Sequence, residues 1–209
     1  MRKKGTGKRL LALMMSAAML TPSMSALASD AKSLGGVEQV YSEEAEREKE
    51  GTGREQVNFN RNWKFIRNDV EGAEAASYDD SSWVDVGIPH NFSIPYEMAG
   101  QFYVGYGWYR KAFEVPEDWK NKKIELEFEG VFQVAEVYVN GQKAGTHEGG
   151  YSGFVYDITD YLHTGTNLVA VRMNNIWQHD LAPRAGDHQF TGGIYRDVYL
   201  NVTEDVHVA

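Results

Sequence analysis

Carboxylates are the most numerous side chains that could do chemistry, since 30 of the 209 residues are Asp or Glu. Glu125, Glu127 and Glu129 alternate with apolar residues, which places them on the outer face of a predicted half-buried strand. Two carboxyl groups that hydrolyse a glycosidic bond stand ~5–10 Å apart across a cleft, and one has a raised pKa. A solvated strand face offers neither condition, so these glutamates are interpreted as a solubilising surface.

Histidine spacing indicates no zinc site, because none of the six histidines forms an HExxH pair; they are His90, His147, His163, His179, His188 and His207. Asp180 and Asp187 lie close together in one segment. With main-chain oxygens, these two carboxylates could hold a hard cation such as Ca²⁺ near Asp187.

Residues 174–191 (NNIWQHDLAPRAGDHQFT) join two predicted strands through a loop of about 18 residues. Loops of that length in a compact domain are usually functional or disordered. This loop combines aromatic rings, which stack on the CH faces of sugars, with carboxylates and amides, which bind hydroxyl groups. The composition leaves a sugar-binding loop and a disordered surface loop as equal alternatives.

The elements that must position this loop are short strands. Alternating apolar residues, interrupted by Gly, Asn or Pro, predict strands at 63–66, 83–86, 108–115, 124–129, 135–139, 142–147, 154–158, 168–173 and from 193 onward. Asn140-Gly141 predicts a type I′ hairpin turn, and residues 157–162 one helical turn. With no long amphipathic helix, the pattern predicts an all-β antiparallel sandwich of the jelly-roll, galactose-binding-domain-like type.

Charge and cysteine content exclude several functions. The first 28 residues hold five bases and no acid, so the remainder carries 16 bases against 30 acids. Such a surface repels nucleic acid and anionic lipid. The chain has no cysteine, which excludes disulfides, thiolate catalysis and iron–sulfur clusters.

Residues 1–28 have the pattern of a targeting segment. A basic head, an apolar run at 10–20 and an Ala-Leu-Ala exit ending at Ala28 predict a secretory signal peptide, too short to span a bilayer. We therefore expect a signal peptide at 1–28, an acidic flexible linker at 29–57 and the folded domain at 58–209. The protein is expected to be bacterial and secreted, periplasmic or at the cell surface, with no membrane span after cleavage.

A series of motifs in the folded part resembles a known family. They are WVDVGIPHN (83–91), GYGWYRKAFEVP (105–116), FEG (128–130), VYVNG (137–141), GGYSGF (149–154), DITD (157–160) and GGIYRDVYL (192–200). In this order they resemble the N-terminal sugar-binding domain of glycoside hydrolase family 2, especially of bacterial β-galactosidases, over residues 58–202. The resemblance implies a jelly roll followed by an immunoglobulin-like domain and a TIM barrel. That barrel carries the two catalytic glutamates, and no residue here matches either.

The resemblance also implies one site residue. Family members carry an aspartate seven residues before the isoleucine of the Gly-Ile-aromatic-Arg motif, which here is Asp187 before Ile194. In the family it accepts hydrogen bonds from hydroxyls of the terminal sugar, and in some β-galactosidases it helps to hold a sodium ion. Some members add an asparagine from the loop before the third strand. Asn91 is the weaker candidate for that contact, because its Pro-His-Asn motif favours a structural role.

Four further residues of these motifs are interpreted as core and packing residues: Trp108, Tyr109, Arg110 and Arg196. The function that this series predicts is the non-catalytic N-terminal domain of a secreted family 2 glycosidase, most simply a β-galactosidase. It would contribute contacts to terminal non-reducing β-glycosides. The alternatives are a free-standing carbohydrate-binding module or lectin, and a purely structural domain. Galactose, glucuronate and mannose all remain open as the sugar.

Overall fold

A computed structural model describes residues 47–50, 53–92, 103–182 and 191–204, with the backbone alone at 47–50. The described strands are β1 (Arg47–Glu50), β2 (Arg54–Asn58), β3 (Trp63–Ile66), β4 (Val84–Val86), β5 (Tyr106–Val115), β6 (Lys122–Phe128), β7 (Val131–Phe132), β8 (Val134–Val139), β9 (Gln142–Glu148), β10 (Phe154–Asp157), β11 (Gly165–Asn174), β12 (Gly193–Ile194) and β13 (Val198–Glu204). Two 3₁₀ turns, Glu117–Trp119 and Thr159–Tyr161, complete the regular structure of these ranges. The described part of the chain contains no helix long and apolar enough to cross a bilayer.

The strands form two antiparallel sheets that enclose one core, so the predicted all-β jelly-roll sandwich is confirmed. One sheet has the order β1-β2-β13-β6-β10, and the other β4-β3-β5-β11-β8-β9. The short strands β7 and β12 pair with each other outside both sheets. They lie where the chain passes between the layers, next to the long loop that the sequence singled out.

Alternation of apolar and polar residues explains the core. In β6, Ile124, Leu126 and Phe128 are buried; they lie beside the apolar residues of β13 in the same sheet and share the core with those of β8 in the other sheet. The intervening Glu125 and Glu127 lie on the outer face, where Lys123 and Asn201 pair with them at 2.6 and 2.7 Å. The interpretation of these glutamates as an outer face is therefore confirmed.

Two elements differ from the prediction. The long strand expected from Gly193 is interrupted between β12 and β13, because Asn60 binds the chain at the break. The Asn60 Nδ2 donates to the Asp197 carboxylate at 2.9 Å, and the Asn60 Oδ1 accepts from the N–H of Val198 at 2.8 Å. These side-chain bonds replace ladder bonds and turn the chain from the β7 pairing to the main sheet.

The predicted flexible linker also differs over its last residues, which form β1 and β2. β2 pairs with β13 and so covers an edge that would otherwise expose unpaired backbone groups. The many charged residues of this segment did not indicate a strand. Backbone pairing does not require apolar side chains, so β2 forms in spite of them. The remainder of the linker and the predicted signal peptide lie outside the described residues.

A second, smaller apolar cluster covers the outer face of the β5 sheet. The segment 67–83 folds over this face and buries Trp83, Trp108 and Ala170 together with Ala73. Arg110 is 2% exposed beneath the same segment. Its guanidinium donates to Asp80 Oδ2 at 2.7 Å and to the carbonyl oxygens of Ala73, Ala75 and Tyr78.

This arrangement predicts that Arg110→Met destabilises the fold by about 2–4 kcal/mol, because a half-buried carboxylate and several carbonyls lose their only cationic donor within the described residues. The measurement is urea unfolding of the 209-residue chain. Lys64→Met is the control, since it removes the exposed 2.7 Å ion pair with Asp85 and should cost less than about 1 kcal/mol. Equal costs for the two variants would contradict the structural role of Arg110.

Candidate functional site

The loop between β11 and β12 is anchored where it leaves β11. Asn175 is buried, and its side chain bridges two points of another segment. The Oδ1 accepts from the N–H of Gly105 at 2.9 Å, and the Nδ2 donates to the carbonyl of Tyr103 at 2.7 Å. The Asn174 Oδ1 accepts from the N–H of Ile176 at 3.1 Å. These bonds fix the direction in which the loop starts.

Gln133 connects the same loop to two neighbours. This buried residue donates its N–H to the carbonyl of Asn174 at 2.8 Å and accepts from the N–H of Gly149 at 3.0 Å. Its Nε2 donates to the carbonyl of Ala182 at 3.3 Å. The first half of the loop is therefore held at both of its ends by β11 and Gln133.

The far end of the loop is held between two other segments. Residues 88–92, here called the strap, run beside β12. His90 donates its N–H to the Ile194 carbonyl at 2.7 Å, and Phe92 donates to the Gly192 carbonyl at 2.9 Å. On its other side β12 pairs with β7. The chain that emerges from the loop is thus clamped from two sides.

Two glycines permit this clamp. A methyl group at Gly193 would overlap the carbonyl oxygen of His90, and one at Gly192 would overlap the ring of Phe92. Gly193 also has φ of 135°, which side chains disfavour. The close approach of two main chains therefore explains why both positions carry glycine.

One of the two predicted site residues, Asn91, belongs to this clamp. Asn91 is half-buried in the strap, and its Cα lies 3.1 Å from the position of a Cβ on Gly193. Asp187 belongs to the segment 183–190 and lies outside the described residues, as do His188 and His207. The structure therefore brings Asn91 against the chain that follows Asp187 in sequence.

The half-buried His90 and the buried Tyr109 form a side-chain pair beneath the strap. The Nδ1 of His90 lies 2.7 Å from the Oη of the fully buried Tyr109. The Tyr109 oxygen also interacts with the N–H of Ile194, while burial raises the pKa of Tyr109 well above its usual value of 10. The phenol O–H therefore donates to Nδ1, which assigns His90 as the neutral tautomer with its proton on Nε2. Burial lowers the pKa of His90 below the usual 6.5.

The remaining candidates separate into packing residues and exposed residues. Trp108, Tyr109 and Arg110 are buried, as expected, whereas Arg196 is exposed and its predicted packing role is wrong. Arg196 lies in the break between β12 and β13 and belongs to neither apolar cluster.

The described residues contain no group of three carboxylate or imidazole side chains that could hold a metal ion. His179 and Asp180 are both exposed, with 3.7 Å between Nδ1 and Oδ1. The predicted cation near Asp187 therefore has only Asp180 among the described residues, and Asp187 itself lies outside them.

Known proteins match this arrangement of strands and loops. The sequence profile described as "Glycosyl hydrolases family 2, sugar binding domain" matches residues 66–204. The chain belongs to this family. The matched range includes the strap, Gln133, Asn175 and both clamped ends of the β11–β12 loop.

Relatives of this family 2 sugar-binding domain are larger glycosidases. The chain is 40% identical over 162 residues to a β-galactosidase of Thermoanaerobacter pseudethanolicus, covering 75% of this chain and 22% of that protein. It is 38% identical over 160 residues to a β-glucuronidase of Bacteroides fragilis, covering 75% and 22%. The crystal structure of Bacteroides uniformis β-glucuronidase has a TM-score of 0.70 and 36% identity, covering 73% of this chain and 18% of that one. The chain spans about a fifth of the length of these relatives.

Sequence reasoning missed three residues that shape the site: Gln133, Asn175 and His90. These residues lie in or beside segments that the sequence singled out, but a sequence does not distinguish a buried polar side chain from an exposed one. A polar residue that interrupts an apolar run, as Gln133 does between Phe132 and Val134, is the one signal that could have indicated a buried anchor.

The neutral state of His90 predicts a pH dependence of stability. The folded-state pKa is lowered, so between that value and 6.5 the unfolded chain binds more protons than the folded chain. His90 therefore makes its full contribution to the free energy of unfolding above pH 6.5, and this contribution falls as the pH decreases below that value. We expect His90→Gln, whose amide oxygen can still accept from Tyr109, to weaken this dependence in urea unfolding between pH 7 and 5.

The control is Ile88→Val, because it removes one methylene from a buried residue of the strap that does not titrate and should lower stability equally at every pH. An identical pH dependence in the wild-type chain and the His90→Gln variant would show that His90 is not held neutral by burial.

Proposed function

We propose that this domain is the non-catalytic N-terminal part of an exported family 2 glycosidase that hydrolyses terminal non-reducing β-galactosides. The observation that carries the proposal is the family match over 66–204, with a β-galactosidase among the relatives at 40% identity. A β-glucuronidase is nearly as similar to the chain, at 38% identity. A β-galactoside is proposed as the substrate because the β-galactosidase has the higher identity and because the motif series resembles β-galactosidases.

The proposed contribution of the domain is a substrate contact by Asp187. A carboxylate can accept hydrogen bonds from two sugar hydroxyls, and such charge-assisted bonds are the stronger kind. Asp187 lies in a segment of eight residues between two anchored points, Ala182 and Thr191–Gly192. Anchoring both ends of a short segment reduces the entropy that is lost when its side chain binds a ligand.

Asn91 is proposed as a secondary contact from the strap. Its main chain is fixed by the flanking bonds of His90 and Phe92 to β12, and its side chain is half-buried. An amide there could donate to one hydroxyl and accept from another. In this proposal, the catalytic glutamates and the rest of the sugar pocket belong to an immunoglobulin-like domain and a barrel outside this sequence.

Export is part of the same proposal. A basic head, a short apolar run and an Ala-Leu-Ala exit support cleavage after Ala28. N-terminal sequencing of the protein recovered from the periplasm or the medium should begin at Ser29. Recovery of the uncleaved chain from the cytoplasm alone would contradict export.

The site proposal is tested on the complete gene product with an aryl β-galactoside. We expect Asp187→Ala to lower kcat/KM by about 10²-fold or more, because a charge-assisted contact to the transition state is lost. Asn91→Ala should lower it by about tenfold, as for one neutral hydrogen bond. Asp160→Ala is the matched control, since this exposed carboxylate in the Thr159–Tyr161 turn lies outside the β11–β12 loop and should change kcat/KM by less than about threefold.

Two outcomes would overturn the proposal. Unchanged turnover by Asp187→Ala in a folded enzyme would remove the contact and favour a purely structural domain. A gene whose coding sequence contains no barrel would remove the glycosidase assignment and favour a free-standing carbohydrate-binding module.

A further inference from the structure

Arg196 is an exposed arginine whose charge no described carboxylate balances. Arg110 and Arg172 are each held by a carboxylate at 2.7 Å. Arg196, in contrast, forms neither an ion pair nor a hydrogen bond within the described part of the chain. Carboxylates are not scarce, because the chain holds 30 acidic residues against 21 basic ones. An arginine that stays unpaired in such a chain is available to a carboxylate from elsewhere.

The carboxylate next to Arg196 in the sequence is already bonded through both of its oxygens. Asp197 Oδ1 accepts from the Nδ2 of Asn60 at 2.9 Å, and Asp197 Oδ2 accepts from the Oη of Tyr199 at 3.2 Å. The N–H of Val198 donates to the Oδ1 of Asn60 at 2.8 Å. These bonds fix the chain that follows Arg196 and explain why Asp197 does not neutralise it.

Tyr195 fixes the chain on the other side of Arg196. Its N–H donates to the carbonyl of Gly130 at 3.1 Å, and its Oη donates to the carbonyl of Gly150 at 2.7 Å. Burial raises the pKa of Tyr195, while the charge of Arg196 acts in the opposite direction, so the guanidinium lies near the phenol. Arg196 is therefore presented to solvent from a main chain that is held at both flanking residues.

An exposed tyrosine lies at the same place. Tyr151 follows Gly150, whose carbonyl receives the Tyr195 hydroxyl, and its side chain is 67% exposed. The Tyr151 ring packs edge-on against the buried ring of Phe132, with the ring centroids 5.7 Å apart. We call Tyr151, Tyr195 and Arg196 the arginine patch. Tyrosine and arginine are the residues in which protein interfaces are enriched and which contribute most to their affinity.

We infer that the arginine patch binds a carboxylate side chain on a part of the same polypeptide that lies outside residues 1–209. This inference rests on the proposed function in one respect, namely that the polypeptide continues beyond this domain. The length of the relatives supports it, since the chain covers 22% of the β-galactosidase that it matches. A guanidinium can bind a carboxylate through two parallel hydrogen bonds, and neighbouring aromatic rings exclude water from such a pair.

Zero-length cross-linking of the complete gene product tests this contact directly. In the Arg196→Lys variant, a carbodiimide activates the partner carboxylate, the introduced amine attacks it to form an amide, and the reagent leaves as its urea. We expect mass spectrometry to find the peptide that contains position 196 joined to an Asp or Glu peptide from beyond residue 209. The wild-type protein is the control, because it has no amine at this position and should not form this product.

Thermal unfolding gives a second measurement. We expect Arg196→Ala to lower the midpoint of the complete protein by about 4 °C or more, because the partner carboxylate is left unpaired in the contact. Tyr151→Ala should lower it by a smaller amount. Lys120→Ala is the matched control, since Lys120 is also exposed and forms no ion pair within the described residues. In the 209-residue chain alone, Arg196→Ala and Lys120→Ala should have equal midpoints, because the partner is missing.

Each other outcome contradicts the inference. Equal midpoints of Arg196→Ala and Lys120→Ala in the complete protein, without a cross-link, would show that Arg196 only faces solvent. A mixture of isotope-labelled and unlabelled protein identifies the source of the carboxylate, and cross-links found only between the two forms would assign the patch to a contact between subunits. Neither measurement depends on turnover. A missing contact in an active β-galactosidase would therefore overturn this inference alone, and a contact in a protein without that activity would overturn only the proposed function.

Discussion

The main chain of β12 runs in direct contact with the main chain of the strap, and this close approach determines where the β11–β12 loop ends. It requires two residues without side chains, Gly192 and Gly193, and it uses backbone hydrogen bonds on both sides of β12. Backbone bonds in a buried position are costly to break, because each unpaired group would lose its solvation without a replacement. A loop that begins at a buried asparagine and ends at this contact has little freedom to move its ends.

Buried polar groups recur around this contact, and each is paired in a way that keeps it uncharged or neutralised. Beneath the strap, the Tyr109 O–H donates a hydrogen bond to the His90 Nδ1. Burial lowers the pKa of His90, so that both side chains stay neutral. On the opposite face of β5, the charge of Arg110 is balanced by Asp80 and by carbonyl oxygens. β5 thus contacts the strap through Tyr109 on one face and the second apolar cluster on the other face. A buried polar side chain without hydrogen bonds would lose its solvation with no replacement.

The domain therefore combines a rigid β scaffold with one long loop whose ends are fixed. This division suits a domain whose family is named for sugar binding and whose relatives are glycosidases about five times its length. A scaffold that fixes loop ends can present side chains to a neighbouring pocket without taking part in the chemistry itself.

The strands, the Asn140-Gly141 turn and the sandwich class followed from the sequence alone, because period-two burial and turn chemistry are local properties. Asn140 and Gly141 indeed have φ of 50° and 82°, as a type I′ turn requires. The resemblance to a family likewise needed only the order of short motifs. Asp187 was named in the same way, and its position stays a prediction.

Only the tertiary structure decided the features that depend on residues distant in sequence. β1 and β2 became strands because β13 offered an open edge, and the long C-terminal strand broke because Asn60 bonded to it from 137 and 138 residues away. Gln133, Asn175 and His90 became anchors for the same reason, since their partners come from other loops. A sequence pattern reports which face of a strand is buried. It cannot report which distant backbone group will meet a polar side chain, because that meeting is set by how the two sheets pack.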